Sequence, residues 1–424
     1  METLEAFVGE RRMGTLSYRQ DRIAFTYDEN WRSSDDAFPL SLSMPLAGQS
    51  YTDAAVRPFL WGLLPDNDEV LRRWGQRFHV SARNPFRLLA HVGEECAGAV
   101  QFIRPDRVVH WERGEAPSGV DWLDKEEMAL RIRELVADHA GSRRAGDEGH
   151  FSLAGAQPKT GLYRDPDSGQ WGIPRGLAPT THLLKPATGQ FEDYVQNEHF
   201  CLRLAGALGL SVAKSWTEVF DDIPVIVVER FDRLRLKDGT VVRVHQEDAC
   251  QALGKPPMIK YQNEGGPSAG DIFDLIRDRS SRPDDDVRRF LDAMIYNWLI
   301  GGTDAHSKNY GFLLAGEAQV RLCPLYDLSS CLPYPKEIPP KKARLAMKIG
   351  GTYRLSHIGK AAWEKAAREW KLDRDELMAR IAKISVAIPK AVEELGTDEG
   401  GIMVRRLVDE LTERTSSISK EFDS

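Results

Sequence analysis

Cysteine is scarce and scattered. The 424 residues hold five cysteines, Cys96, Cys201, Cys250, Cys323 and Cys331, an odd number with no C-x-x-C pair. That usage supports neither a disulfide scaffold nor a zinc finger, and a reducing, cytoplasmic setting is expected. Apolar runs approaching the ~20 residues of a membrane span are missing, so no membrane association is expected. The opening METLEAFVGERR carries Glu2 and Glu5 and lacks the apolar core of a secretory signal. An excess of basic charge is missing as well. Lys and Arg number 57 against 64 Asp and Glu, for a net charge of −7. This argues against a basic surface over the whole chain, while leaving open a local patch or a DNA-binding partner. There is no internal repeat and no low-complexity tract.

What is there is an ordinary globular composition, 42% hydrophobic and 29% charged. The length predicts two or three domains or lobes. Residues 1–105 read as a β-rich subdomain. VGERRMGTLSY and DRIAFTYDENW predict strands around a polar turn, and PLSLSMPL (39–46) predicts an extended segment bounded by prolines. Residues 56–78 read as helical apart from a break at Pro65–Asn67. IRPDRVVHWERGEAPSG (103–119) is the best linker candidate, followed by a helix at about 124–139. Residues 106–232 read as a second, strand-rich part. Hairpins are predicted through Asp167–Gly169, within 216–233 and through Asp238–Gly239, with a short strand THLLKP (181–186) and a helix over 191–210. The Gly-rich, charged run 141–150 reads as mobile. After about 245 helical periodicity dominates, and 233–424 is read as a helical C-terminal lobe that carries the polar loop near 304. Segregated strands and helices define an α+β class.

The chemistry concentrates in LIGGTDAHSKNYGFLL (299–314), which sets Asp304, His306, Lys308 and Asn309 between two apolar runs. The predicted order is a helix over Asp284–Ile300, a glycine stop, a polar loop, a hairpin, and then Asp327 in PLYDLSS. Asp-x4-Asn followed by a second Asp after a hairpin is the order of a protein-kinase catalytic loop and metal-binding aspartate. Phosphoryl transfer needs a carboxylate for the acceptor hydroxyl proton and oxygen ligands for Mg²⁺. Asp304 fits the first task, Asn309 and Asp327 the second. Lys308 or His306 fits contact with the transferring phosphate. Two features depart from the eukaryotic plan: His follows the aspartate, and DLS stands for DFG.

Upstream parts fit the same plan. SLAGAQPK (152–159) is not a Walker A motif, but Gly155 flanked by Ala154 and Ala156 lets backbone N–H groups approach phosphate. Lys185 ends a strand and Glu198 in the next helix is its natural positioning partner. The strand VIVVERF sits where a hinge belongs, so the backbone of Glu229, Arg230 and Phe231 is the candidate adenine contact.

These stretches carry a resemblance. YDENWRSSDDAFPLSLSMPL (27–46), GLLPDN (62–67), SLAGAQPK (152–159), THLLKP (181–186), NEHFCLRLAGALGL (197–210), ERFDR (229–233), HQED (245–248), LIGGTDAHSKN (299–309) and PLYDLSS (324–330) are similar, in order, to the HipA family of bacterial serine/threonine kinases, toxins of toxin–antitoxin pairs. The resemblance implies a bilobal protein-kinase-like fold, with a strand-rich N-terminal part and an all-helical C-terminal lobe. It implies Asp304 as catalytic residue, Asn309 and Asp327 as Mg²⁺ ligands, and ATP held by Ala154, Gly155, Ala156, Gln157, Pro158, Lys159, Lys185, Glu229–Phe231, His306 and Tyr326. It further implies autophosphorylation of Ser152, a HipB-like helix-turn-helix antitoxin that binds operator DNA, and a translation protein such as an aminoacyl-tRNA synthetase as substrate. Pro158 stands where the family often has an acidic residue, which stiffens the loop and removes a donor. HQED fits the helical core as well as a substrate contact. A pseudokinase-like regulator and a small-molecule or lipid kinase are the alternatives. The intact Lys185, Asp304, Asn309 and Asp327 speak against the former, and site geometry alone permits the latter.

Overall fold

The computed structural model describes residues 1–113, 115, 118–137, 152, 155, 157–189, 191–396 and 401–422. Ala154, Ala156 and the run 141–150 lie outside the described residues. Two compact units emerge, one of Met1–Pro186, Glu218–Met258 and Gly311–Arg321, the other of Ala187–Thr217, Ile259–Tyr310 and Leu322–Ser424. Residues 233–258, which sequence periodicity grouped with the helices, therefore belong to the strand-rich unit.

In the first unit, β1 (Glu2–Val8), β2 (Arg11–Arg19), β3 (Arg22–Tyr27), β4 (Ser50–Tyr51) and β5 (Val100–Ile103) form an antiparallel sheet in the order β4-β3-β2-β1-β5. Period-2 alternation in RIAFTY turns Ile23, Phe25 and Tyr27 into the core. The run 103–119, expected as a linker, instead carries a helix, Pro105–Glu112. Its Trp111 is fully buried and packs with Phe7 and Ile103. Residues 39–46, expected to be extended, form a tight turn in which Met44 N donates to Ser41 O at 2.8 Å.

A second sheet comprises β6 (Ser118–Trp122), β7 (Thr160–Arg164), β8 (Trp171–Gly176), β9 (His182–Pro186), β10 (Ser215–Phe220) and β11 (Ile223–Glu229), in the order β10-β11-β9-β7-β8-β6. The near-continuous apolar run of β11 leaves Val225, Ile226 and Val227 without exposure, as a strand covered on both faces requires. Asp165 closes the β7–β8 turn by accepting from Asp167 N and Ser168 N. β12 (Arg233–Arg235) and β13 (Val241–Arg243) form a ribbon, and β14 (His245–Asp248), β15 (Gly311–Ala315) and β16 (Gln319–Leu322) a small sheet.

The turn at 41–44 owes its shape to HQED. Glu247 accepts from Leu42 N (2.6 Å) and meets Ser41 Oγ (2.6 Å), which also lies 3.3 Å from Gln251 O. His245 Nε2 bonds to Leu40 O at 2.9 Å. Asp248 caps the helix Ala249–Ala252 in a capping box with Gln251. HQED is thus a fastener inside the strand-rich unit, not part of the helical core. Burial pushes the Glu247 carboxyl up to about 8, against the opposing hydrogen bonds from Leu42 and Ser41, with nearby Asp248 adding to the rise. A carboxyl raised on folding stabilises fully below its unfolded value near 4.5, and that contribution is lost as pH climbs through about 8. Glu247→Gln is therefore expected to flatten the loss of stability between about pH 4.5 and pH 8, read by urea denaturation across that range.

In the second unit the helix Pro283–Ile300 is the axis. Pro283 at its first turn with Asp284, Asp285 and Asp286 behind it suits an N-terminus. Asp286 has no exposure and accepts from Ser280 Oγ (2.7 Å) and Leu322 N (3.0 Å). The helix end is buried all round, and Trp298 meets Trp363 and Phe422 at ring distances of 5.3 and 5.9 Å. Helices Lys360–Glu369, Arg374–Leu395 and Gly401–Phe422 follow, and a short antiparallel ribbon of Arg344–Ile349 and Thr352–Arg354 accompanies them. No helix among the described residues is long and apolar enough to cross a membrane.

Candidate active site

The axial helix stops at Gly301, whose φ of +66° is left-handed, and Gly302 N returns to Asn297 O at 2.7 Å. The polar loop begins there. His306 N donates to Asp304 O at 2.8 Å, Asn309 N to His306 O at 2.9 Å, and Asn309 Nδ2 to Asp304 O at 2.9 Å. The amide of Asn309 is thereby clamped by its nitrogen, which leaves its oxygen as a hard donor. Asp304 is exposed, whereas His306, Lys308 and Asn309 are buried.

The segment that delivers the second aspartate is tied to this loop. Tyr326 donates its hydroxyl to Lys308 O at 2.6 Å. Leu325 N donates to Ser211 O and Ala213 N to Leu325 O, each at 2.8 Å. Asp327 then adopts φ +57°, a left-handed conformation rare outside glycine and held only where surroundings over-determine it. Those surroundings are visible. Asn197 receives Ser330 N at Oδ1 (2.9 Å) and donates from Nδ2 to Ser330 O (2.8 Å), and Ser330 Oγ donates to Ile300 O at 2.5 Å. Glu198, the predicted lysine-positioning acid, is the next residue on the same helix, Tyr194–Ala207, and is 1% exposed.

The other predicted residues lie in the strand-rich unit. Ser152 has no exposure; its N donates to Glu95 O at 2.7 Å and its Oγ to Leu63 O at 2.8 Å. Gly155 O accepts from Asp66 N at 3.2 Å, so GLLPDN supports the phosphate-loop candidate. Pro158 is buried, Gln157 and Lys159 half-buried. Lys185 is buried on β9 in register with Ile226, and Glu229 on β11 faces His182 across the same pair. Phe231 is half-buried.

Arg230 N donates to Thr181 O (2.9 Å), its carbonyl accepts from Arg233 N (3.2 Å), and its guanidinium is locked among Glu95, Asp232, Thr180 and Cys96 O. Sequence reasoning missed Tyr261, whose hydroxyl donates to Asp304 Oδ1. Its segment, GKPPMIKYQNEGG, has no periodicity to draw attention.

Among the described residues, no cluster of three or more His, Cys, Asp or Glu side chains could hold a metal alone. A Mg²⁺ shared with a triphosphate needs only one or two protein oxygens, and the amide and carboxylate of Asn309 and Asp327 are of the right hard class.

A carboxylate, an amide and a second aspartate at positive φ are thus ordered by one hydrogen-bonded interlock. Comparison with known proteins gives the class. Residues 151–392 match the HipA-like C-terminal domain and residues 4–103 the HipA N-terminal domain. Y4mE of Sinorhizobium fredii is 37% identical over 391 residues, covering 91% of this chain and 90% of its own. The serine/threonine-protein kinase toxin HipA of Shewanella oneidensis is 30% identical over 419 residues, covering 93% and 89%. The solved complex of Shewanella oneidensis HipA, HipB and operator DNA superposes with a TM-score of 0.84 at 27% identity, covering 99% of this chain and 98% of that one. The chain belongs to the HipA family of serine/threonine-protein kinases, and its fold is HipA-like.

Proposed function

We propose that this chain transfers the γ-phosphoryl group of Mg·ATP to a serine or threonine of a translation protein, an aminoacyl-tRNA synthetase being the expected substrate, and thereby arrests growth as a cytoplasmic toxin. The observation that carries this reading is the interlock of Asp304, Asn309 and the Tyr326–Asp327 turn. The acceptor oxygen forms a bond to the γ-phosphorus as the bond to the bridging oxygen of ADP breaks. The acceptor proton passes to Asp304. His306 and Lys308 follow Asp304 in the same loop, and in this reading either would favour the transferring group with positive charge or a donor. Asn309 and Asp327 would hold the Mg²⁺, which when bound neutralises charge across the phosphates. In this reading Lys185 is the proposed contact to the α/β-phosphates and Glu198 the acid proposed to position it, residues 154–159 are the proposed phosphate loop, and the backbone of Glu229, Arg230 and Phe231 is the proposed adenine contact.

Ser152 is the proposed autophosphorylation site. Its hydroxyl is buried against Leu63 O, with Glu95 O accepting its amide. A phosphate of about −1.5 to −2 charges cannot remain beside these carbonyl oxygens, so modification would expel the segment and end activity. A HipB-like helix-turn-helix antitoxin is the proposed partner, and operator DNA is reached through it, by analogy with the Shewanella complex. Induced expression followed by phosphopeptide mass spectrometry tests the reading. The expected result is growth arrest with new phosphate on a serine or threonine of a synthetase and on Ser152. Arrest without new protein phosphorylation would contradict it.

A further inference from the structure

Asp304 is exposed at the start of the catalytic loop, and an exposed carboxylate has rotamers to lose before it can hold a productive geometry. One group restrains it that neither the kinase plan nor the motif order supplied. Tyr261 lies 43 residues upstream and donates its hydroxyl to Asp304 Oδ1. The tyrosine is itself held on every side. Its ring stands edge-on to His306 at 5.1 Å and 87°. The preceding carbonyl, Lys260 O, accepts Ser307 Oγ at 2.8 Å. Tyr261 O accepts Glu264 N and Gly266 N at 3.0 Å, closing its own loop. A Cβ at Gly266 would fall 1.9 Å from Ile259 O, so only glycine allows that closure. The next residue, Gln262, accepts Lys348 N at 2.7 Å through Oε1. Residues 259–266 thus brace the catalytic loop at two consecutive positions, 306 and 307, and at the carboxylate itself.

We propose that Tyr261 is a positioning residue for phosphoryl transfer: its hydroxyl fixes one oxygen of Asp304 so that the other, Oδ2, receives the acceptor proton. The inference rests on the reading of Asp304 as the proton acceptor. An ionised carboxylate only accepts hydrogen bonds, and a phenol at neutral pH donates one, so the pairing has a single direction. The proton lost by the acceptor goes to Oδ2, the new oxygen–phosphorus bond forms as the bond to ADP breaks, and the tyrosine proton stays where it is. Fixing a reacting group is worth much in rate, because a misplacement of about 1 Å costs about 100-fold.

The test uses the full-length purified chain, Mg·ATP labelled in the γ-phosphate, and label incorporated into the chain itself and into dephosphorylated casein as probe. Tyr261→Phe keeps the ring on His306 and removes only the donor. It is expected to lower kcat about 10- to 100-fold with KM for ATP unchanged. A packing role alone would not lower kcat while leaving KM for ATP unchanged. An unchanged melting temperature and an unchanged Mg·ATP-induced rise in it show that the variant is folded and loads nucleotide. Wild-type kcat in Tyr261→Phe, with Asp304→Asn inactive, would overturn the inference and leave the proposed function standing. Full transfer by Asp304→Asn would overturn both.

Discussion

Asp304→Asn is expected to lower phosphoryl transfer by about 10²- to 10⁴-fold, the range for removing a positioned general base. The substitution is nearly isosteric. Asp304 O, the carbonyl that accepts from His306 N and Asn309 Nδ2, is a backbone atom and survives. The loop therefore keeps its shape while the proposed proton acceptor is lost. Affinity for Mg·ATP should change little, since Asn309 and Asp327 remain. The measurement is the initial rate of label transfer from γ-labelled ATP, with nucleotide binding followed in parallel by calorimetry. A variant that loses binding together with rate would move Asp304 from proton acceptor to nucleotide ligand. Undiminished transfer would remove it from the chemistry altogether.

The second large effect is on stability. Glu95 lies buried between three guanidiniums: Arg233 Nη2 at 2.7 Å from Oε1, Arg230 Nη1 at 3.2 Å from Oε1 and Arg243 Nη2 at 2.5 Å from Oε2. Asp232 supplies the second acid, with Arg230 at 2.7 Å and Arg233 at 3.0 Å. Burial alone would raise the Glu95 carboxyl. Arg243, Arg233 and Arg230, with the hydrogen bond from Thr180, outweigh it and hold the group well below the usual carboxylate range. Asp232 is lowered to about 2 by Arg230 and Arg233 against the same burial. Glu95→Ala leaves three buried cations against one acid and is expected to cost about 3–5 kcal/mol. At a slope of about 2 kcal/mol per molar urea, the unfolding transition of the strand-rich unit should fall by roughly 1.5–2.5 M. The sign of the pH dependence follows from the depressed values. The contribution of both acids is present above the unfolded carboxylate range and is lost as pH falls toward about 2. Wild type should therefore lose stability on acidification more steeply than the variant. Equal midpoints at neutral pH would mean that desolvation cancels the attraction in this cluster.

The cluster matters for function because of what it holds. Arg230 and Arg233 belong to ERFDR, the segment that follows β11, and Glu95 O also accepts the amide of Ser152. One residue thus anchors the proposed hinge through its side chain and the proposed phosphorylation site through its backbone.

Much of this was legible from short-range signals. The Asp165–Gly169 turn and the acidic first turn of Pro283–Ile300 are set by residues within a few positions of each other, and both appear where the pattern put them. The polar loop 304–309 stands out in the sequence because its residues interrupt two apolar runs. Misses arose where a distant residue decides the conformation. The turn at 41–44 is dictated by Glu247, about 200 positions away, so alternation in PLSLSMPL misread it as extended. Trp111 and Val108 define a buried face in the charged run 103–119, but with so few apolar residues the composition read as a linker. The ion pair of Arg230 with Glu95, 135 positions upstream, left no local signal either. Tyr261 was invisible for the same reason: nothing local marks a tyrosine that serves Asp304.

The destination of the γ-phosphate of ATP decides the function. Purified wild-type chain incubated with γ-labelled ATP, magnesium and a cell extract should place label on serine or threonine of protein, and chelation of the magnesium should abolish it. Label recovered only in lipids or small metabolites, or no label beyond background, would contradict the assignment of this loop as a protein-kinase site.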